Sequence, residues 1–507
     1  MPSLVPEIRP ETKRVATGVA CSVWSKRLSL VVLCGSLAST YACGDDDGPA
    51  TVPMDDASVP ADAGSDTGTA ASTDAGTTDP RIEHAVAAIR TALESAEVPG
   101  AAVAIVEEGR DPFFAGIGVR DLDEVGAIGP HTVFRVASLS KLVTVAVILS
   151  LAEDGLLSLD DRVVDRLPAF RVAESFDPSA ITVRHLLTHT SGLPDIAPLI
   201  CPESSASEWV ASRTDMTLWA PAGEVWDYSN TGYTVAAAVA ETVSGQSFTD
   251  LAEERVFLPL GMSDTTYDAA LAADRDHASG HGIEGSISVL GIADYTCPAL
   301  DGSAGLITSA TDYARFLVGL FGSDAALLER ASVAELTESA VSQHVVPWER
   351  YGLGLDITDD PELGVEVLAH DGELPGYRAG FLVVPSEQRM VVLLTNGNPF
   401  DWWAPLRRAM AALREIPLEP YPSVEPSAEA LARTAGRYVD PFGQLGEVTI
   451  EVRSDSLWAR IAGTSFEGIL GQRAGRFAAG DLQIVFAPND GPAEWVVTRI
   501  GVARRVE

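Results

Sequence analysis

A long apolar run at residues 139–151 constrains the fold more than any other part of this sequence. It is apolar on nearly all sides, so a helix built from it must be surrounded by other elements in the middle of a domain. Gly155 follows the run and ends the helix. Two polar residues, Ser138 and Lys141, stand at its start. We therefore expect a large domain with these two side chains in its interior.

Strand-like segments lie on both sides of this helix in the sequence. Two precede it and three follow, at 100–108, 112–119, 364–369, 379–384 and 390–395. Other helical segments are expected at 81–97, 232–243 and 310–320. The sequence thus predicts an α+β domain, in which N-terminal and C-terminal strands form one antiparallel sheet flanked by helices.

Lys141 is chemically unusual in this chain. The other two lysines, Lys13 and Lys26, fall near the N-terminus, and arginine supplies the positive charge elsewhere. Arginine is locked in its charged form, whereas a desolvated lysine can lose a proton. Ser138 lies one helical turn before Lys141, so both side chains share a face. A hydroxyl beside a neutral amine on a buried helix is typical of an activated nucleophile.

Residues 1–42 have the features of a signal peptide. Lys26 and Arg27 precede a short apolar stretch at 28–42, and Ala42-Cys43 resembles a bacterial lipoprotein processing site. Thr40 occupies a position where leucine is usual. We expect an exported chain that is acylated at Cys43 and anchored to a membrane of the cell envelope, on the periplasmic or the surface side. Ordinary secretion with cleavage nearby is the alternative.

Residues 43–80 form an acidic segment. Gly44 to Pro80 contains nine aspartates and no lysine or arginine, so it is expected to be a disordered linker. These aspartates contribute much of the net charge of −37. Nucleic-acid binding needs a basic face, so no nucleic-acid partner is expected.

The remaining chain predicts two domains. A catalytic domain is expected at 81–416, followed by a proline-rich break and a small antiparallel β sandwich or barrel at 427–507. No set of acid, base and nucleophile is evident in the second. Two cysteines of the first domain, Cys201 and Cys297, either form a disulfide in an oxidising compartment or are two unrelated small residues.

Two later motifs complete a recognisable set. One contains Tyr228-Ser229-Asn230 and the other His370-Asp371-Gly372. With Ser138-x-x-Lys141, they resemble in order the Ser-x-x-Lys, Tyr-x-Asn and His-x-Gly motifs of the serine β-lactamase and penicillin-binding superfamily, in its class C-related carboxypeptidase and esterase branch. Supporting phrases begin at Leu186, Pro259 and Ser303, and the resemblance covers roughly residues 85 to 415.

The resemblance implies a role for each residue. Ser138 would attack a carbonyl, Lys141 would accept the proton, Tyr228 would share proton transfer, and Asn230 would orient the lysine and the substrate. The backbone N–H groups of Ser138 and of Glu373, the residue after Gly372, would bind the oxyanion.

Some residues of the set have alternative interpretations. His370 could contact the substrate or only support its strand. Drug-hydrolysing relatives carry lysine at that position, so the anchoring of a substrate carboxylate should be weaker here unless Arg378 compensates. His185 and His189 have the spacing of a metal pair, but the zinc-protease glutamate is missing, so neither a metal nor a cofactor is expected.

The predicted function is a serine hydrolase with an acyl-Ser138 intermediate, acting on ester, amide or D-amino-acid peptide bonds of a small molecule or a cell-wall peptide. The alternative is a catalytically silent cell-wall-binding or scaffolding lipoprotein that retains the fold. A binder has no reason to keep its remaining lysine beside Ser138, which favours the enzyme.

Overall fold

The computed structural model describes most of the chain after the acidic segment. The residues described are 79–506 apart from 111, 124–125, 174–175, 197–203, 283–290, 295, 324, 326, 344–348, 399, 419–427, 441–444, 454–455, 465, 470, 474–475, 480–481, 488–492 and 499–500. The predicted signal peptide, the predicted lipidation site at Cys43 and nearly all of the predicted linker lie outside them. Within the described residues, no helix combines the length and the apolar character needed to cross a membrane.

The strands, in chain order, are β1 Gly100–Val106, β2 Phe113–Gly118, β3 Val133–Arg135, β4 His281–Gly282, β5 Ile307–Ser309, β6 Val341–Ser342, β7 Glu349–Tyr351, β8 Asp356–Asp360, β9 Val365–Leu374, β10 Tyr377–Val384, β11 Arg389–Thr395, β12 Gly397–Asn398, β13 Gly436–Val439, β14 Glu447–Arg453, β15 Ser456–Ile461, β16 Glu467–Ile469, β17 Gly471–Arg473, β18 Arg476–Ala479, β19 Leu482–Ala487, β20 Trp495–Thr498 and β21 Gly501–Arg505.

The α-helices are α1 Pro80–Ser95, α2 Ser140–Glu153, α3 Val163–Arg166, α4 Val183–Leu187, α5 Ala206–Ser212, α6 Asn230–Ser244, α7 Phe248–Ala252, α8 Leu258–Leu260, α9 Ala269–Ala273, α10 Asp301–Ala304, α11 Ala310–Phe321, α12 Arg330–Glu338, α13 Trp403–Leu413 and α14 Ala428–Thr434.

The larger, N-terminal region is built on an eight-stranded sheet of order β2-β1-β11-β10-β9-β8-β7-β6. Its pairings are antiparallel, and β1 lies directly beside β11, with Val103 opposite Leu393. N-terminal and C-terminal strands therefore share the centre of one sheet, which confirms the predicted α+β class. The motif with His370 and Gly372, which follows the predicted strand at 364–369, lies inside β9, which continues to Leu374.

Helices cover both faces of this sheet. On one face, α1 and α13 pack through residues such as Ile89 and Leu406. On the other, α2, α6 and α11 form the larger core. The side chains of α2 are buried from Ser140 to Leu149, so the apolar run does lie in the middle of the domain.

The C-terminal region forms a nine-stranded sheet of order β16-β15-β14-β13-β21-β20-β19-β18-β17. Its two edge strands, β16 and β17, are consecutive in the chain, so the sheet must curl until its edges come near each other. Its interior contains Tyr438, Val448 and Phe486, and Leu431 of α14 joins them. The predicted small antiparallel β structure is thus confirmed as a rolled sheet, whereas the domain boundaries stay a prediction.

Candidate functional site

Ser138 sits in a tight turn at the entrance to α2. A 3-10 turn, Ala137–Leu139, leads directly into the helix. Ala137 has φ of 48°, in the left-handed region that residues with a Cβ rarely adopt. Such backbone strain clusters at functional sites. This turn places the largely buried Ser138 hydroxyl beside the fully buried Lys141.

The amino group of Lys141 is surrounded by oxygen atoms. Its Nζ lies 3.1 Å from Ser138 Oγ, 2.6 Å from Asn230 Oδ1 and 3.0 Å from the carbonyl oxygen of Ser303. The amide and carbonyl oxygens can only accept hydrogen bonds. They can therefore hold two N–H groups of the lysine, which leaves its third tetrahedral position directed at Ser138.

Tyr228 approaches the same hydroxyl from the other side. Its Oη donates to Ser138 Oγ at 2.9 Å, and Lys141 Nζ lies 4.8 Å from the centre of its ring. Asn230, two residues later, begins α6, whose N-cap is Ser229. The structure therefore brings together Ser138, Lys141, Tyr228 and Asn230, as the resemblance of their motifs implies.

His189 holds the segment that carries Tyr228. Its Nδ1 accepts a hydrogen bond from the Ser229 N–H at 3.0 Å, and its carbonyl oxygen accepts one from the Asp227 N–H at 2.8 Å. Its ring centre lies 4.3 Å from that of Tyr228. His189, the histidine in the matching segment that begins at Leu186, therefore supports Tyr228.

His370 lines the site as a neutral, fully engaged ring. Its Nδ1 lies 2.7 Å from the Asp371 carbonyl oxygen, and its Nε2 lies 3.0 Å from Tyr351 Oη. Burial lowers the pKa of His370 to about 3. Because a carbonyl only accepts, Nδ1 carries the proton and Nε2 accepts from the tyrosine hydroxyl.

Gly372 lies directly against the turn that carries Ser138. A Cβ atom at this position would come within 2.0 Å of the Val136 carbonyl oxygen and 3.1 Å of the Ser138 nitrogen. Only glycine allows β9 to approach the turn so closely, which explains the glycine of the motif. Glu373 follows it in the strand, so its backbone lies beside the site.

The side chain of Glu373 points to the opposite face of the sheet. Successive residues of a strand alternate between faces, and Gly372 faces α2. Glu373 is directly opposite Arg378 on β10, and their side chains form an ion pair. Arg378 also contacts Asp371, at 3.0 Å. The suggestion that Arg378 replaces the missing cation is therefore wrong in this structure, because it lies behind the sheet between two carboxylates.

Two polar groups of the site are not among the residues that the motifs predict. Asp195 accepts hydrogen bonds from Asn230, and the Ser303 carbonyl oxygen accepts one from Lys141. Both residues occur in or just after phrases that match the superfamily, but those phrases alone gave no reason to single out either residue. Their contacts depend on elements far apart in the chain.

The remaining candidates are the two histidines with metal-pair spacing and the two cysteines. His185 Nδ1 accepts a hydrogen bond from the Thr182 N–H at 3.2 Å. In the described part of the chain, no group of three or more His, Cys, Asp or Glu residues is arranged to hold a metal. Cys297 is buried, and Cys201 lies outside the described residues, so the disulfide stays a prediction.

The rolled sheet packs against the segment that leads to Tyr228. Trp219 and Val225 form an apolar cluster with Trp495, Val497 and Val502. The Trp219 N–H also donates to the Gly192 carbonyl oxygen at 2.8 Å. The C-terminal region therefore contacts the N-terminal region close to Tyr228, one of the groups around Ser138, although it carries none of those groups itself.

Comparison with known proteins agrees with the family that the motifs resemble. The model of the family described as Beta-lactamase matches residues 85–414. Penicillin-binding protein 4* of Bacillus subtilis (strain 168) is 28% identical over 391 residues, which cover 71% of this chain and 83% of that protein. Penicillin-binding protein 4 of Amycolatopsis lactamdurans is 29% identical over 363 residues, covering 67% of this chain and 93% of that protein.

A solved structure shows the same fold. The octameric penicillin-binding protein homologue from Pyrococcus abyssi superimposes with a TM-score of 0.59 at 23% identity, and the match covers 83% of this chain and all of that one. At this identity the likeness concerns the fold alone.

Proposed function

Because the chain belongs to the Beta-lactamase family, we propose that it is a serine hydrolase that works through an acyl-Ser138 intermediate. The observation that carries this proposal is the position of Ser138 Oγ, which lies 3.1 Å from Lys141 Nζ and 2.9 Å from Tyr228 Oη. A nucleophile within hydrogen-bond reach of two groups able to move its proton is the basic requirement for acyl transfer.

Lys141 acts as the general base in this proposal. A neutral amine has two N–H groups and one lone pair, and the two fixed acceptors around Nζ take the N–H groups. The lone pair then faces Ser138. Tyr228 donates to the same oxygen and can pass its proton to the leaving group after attack, and the proton taken up by Lys141 then replaces it. Water cleaves the acyl-enzyme and returns a proton to Ser138.

The oxyanion is bound by two backbone N–H groups, those of Ser138 and Glu373. The hairpin between β9 and β10 closes through the two residues Pro375 and Gly376, which makes Leu374 and Tyr377 a hydrogen-bonded pair. Glu373 is then a non-hydrogen-bonded position, with its N–H directed away from β10. Gly372 lies against the Ser138 nitrogen, so the two N–H groups can converge on one oxygen.

The charges around the site favour substrates without a free carboxylate beside the scissile bond. His370 is neutral at physiological pH, and Arg378 lies behind the sheet in an ion-pair cluster. Neither offers a fixed cation. We propose esters, amides and D-amino-acid peptides as substrates, in the cell envelope to which lipidation at Cys43 would anchor the chain. β-Lactams should acylate the enzyme slowly, although two relatives are named as penicillin-binding proteins.

A matched pair of substrates tests this proposal. An N-acyl-D-Ala-D-Ala peptide and its C-terminal carboxamide differ only in the carboxylate, and both can be compared with a p-nitrophenyl ester and nitrocefin. We expect the carboxamide and the ester to have the higher kcat/KM, and Ser138→Ala to abolish every activity. Preference for the free carboxylate would contradict the substrate class. A lack of acylation by all four would support the silent scaffolding protein instead.

A further inference from the structure

We propose that Asp195 is a positioning residue for acylation, which fixes the side-chain amide of Asn230 in the orientation that lets Lys141 act as a base. This inference rests on the proposed function. The carboxylate of Asp195 lies at the N-terminal end of α6, although Asp195 is far from Asn230 in the sequence. Nothing in the motif set points to it.

The carboxylate of Asp195 holds Asn230 at two points. Its Oδ1 accepts the backbone N–H of Asn230 at 3.1 Å, and its two oxygens accept the side-chain Nδ2–H group at 3.1 and 3.2 Å. A carboxylate only accepts hydrogen bonds, so the NH₂ end of the amide must face Asp195. The oxygen end must then face Lys141, where Oδ1 lies 2.6 Å from Nζ.

The orientation of this amide decides whether the lysine is available as a base. With Oδ1 toward Lys141, the amide accepts an N–H and leaves the lysine lone pair for the Ser138 proton. A flipped amide would instead offer an N–H donor to that lone pair, in competition with Ser138. It would also turn its oxygen toward a carboxylate, so Asp195 strongly disfavours the flip.

Neighbouring contacts keep Asp195 in place independently of Asn230. The Pro194 carbonyl oxygen accepts from Ser229 Oγ at 3.3 Å, and the Ile196 N–H donates to Thr231 Oγ1 at 3.1 Å. The loop is therefore tied to the start of α6 on both sides of Asp195. Its negative charge also lies near the N-terminus of this helix, where the helix dipole favours an anion. Replacing Asp195 should consequently remove the hydrogen bonds that orient the Asn230 amide, while the loop stays attached to α6.

A double-mutant cycle on the full chain tests this coupling. Hydrogen bonds to charged groups contribute enough that Asp195→Ala should slow acylation about 10- to 100-fold. Asp195→Asn, which offers one acceptor oxygen, should fall between wild type and Asp195→Ala. In an Asn230→Ala background, Asp195→Ala should change the rate less than about twofold, because the residue acts through Asn230. Additive losses would overturn the proposal, since they would mean a separate structural or substrate contact.

A matched control is available in Asp268. It accepts the Ala270 and Leu271 N–H groups at 2.9 and 3.0 Å at the start of α9, so it makes similar contacts at another helix. Asp268→Ala should leave the acylation rate at the wild-type value. A loss equal to that of Asp195→Ala would show that general weakening of a helix start explains the effect, and would overturn the proposal.

The lysine itself gives a readout that does not depend on turnover. With Lys13 and Lys26 replaced by arginine, ¹³Cε-lysine NMR of the full chain reports Lys141 alone. Loss of the Asp195 charge and of the oriented Asn230 Oδ1 acceptor should lower the measured pKa of Lys141 by at least about half a unit. An unchanged Lys141 titration in Asp195→Ala would refute the proposal that Asp195 orients the Asn230 amide. If wild type never acylates but the Lys141 titration shifts in the variant, the proposed function fails while this role of Asp195 stands.

Discussion

Replacing Lys141 with arginine separates a base from a structural cation. The substitution places a permanent positive charge on a side chain of similar length. An arginine cannot accept a proton at any accessible pH, whereas a desolvated lysine can. If Lys141 only neutralised its surroundings, the variant should remain active. In the proposed mechanism it should not, because Ser138 would lose its proton acceptor.

The expected loss follows from the contacts around Nζ. Two of the three positions are fixed by Asn230 Oδ1 and the Ser303 carbonyl oxygen, so the third is the one that reaches Ser138. A positioned base contributes at least about a hundredfold. That factor corresponds to about 2.7 kcal/mol of transition-state free energy. The planar guanidinium must also fit where Lys141 is fully buried, which should cost about 1–3 kcal/mol of stability.

The assay is pre-steady-state acylation by a p-nitrophenyl ester from pH 6 to 10. Lys141→Met is the matched control, because it removes the base without adding bulk. Both variants should lose at least about a hundredfold in the acylation rate, and Lys141→Met should show the smaller change in urea stability. Near-normal acylation by the folded Lys141→Arg variant would refute the reasoning and make Tyr228 or another group the base.

Three other regions of the molecule give independent tests. Arg407 forms a buried ion pair with Asp360 on the face of the sheet away from the site; Arg407→Met should lower the free energy of unfolding by about 3 kcal/mol or more, with acylation per folded molecule unchanged, as urea denaturation and active-site titration would show. Burial lowers the pKa of His370 from 6.5 to about 3, so between these values the unfolded chain binds more protons and stability should fall as the pH falls. His370→Gln should reduce that slope by about 1.4 kcal/mol per pH unit near pH 5, and an unchanged slope in urea titrations would contradict the burial of a neutral ring. Trp495→Ala should loosen the segment leading to Tyr228 and slow acylation several-fold without abolishing it, whereas an unchanged acylation rate would mean that the rolled sheet does not support the site.

The sequence predicted those parts of the site that depend on local spacing. Ser138 and Lys141 are three residues apart, and one helical turn brings them together whatever surrounds the helix. The all-apolar run likewise required a buried helix, and α2 is buried. Matched motifs then supplied Tyr228 and Asn230, which the structure places at the same hydroxyl.

The parts that escaped prediction depend on long-range pairing. The position of Arg378 follows from its register opposite Glu373, and that register could not be read from composition or periodicity. Asp195 and Ser303 reach the site because loops return to it from distant elements. β9 extends five residues beyond the predicted strand at 364–369, and the prediction ends there because His370, Asp371 and Gly372 lack the apolar pattern of a strand.

Formation of an acyl-enzyme at Ser138 is the central claim, and intact mass spectrometry tests it most directly. The full chain would be incubated with a fluorescent acylating ester, quenched in acid, weighed intact and digested for peptide mapping. The account predicts one acyl group per chain on the peptide that contains Ser138, located by fragmentation at Ser138 rather than Ser140, and no adduct on Ser138→Ala. An adduct that persists on the folded Ser138→Ala variant, or that maps to another residue, would contradict the account.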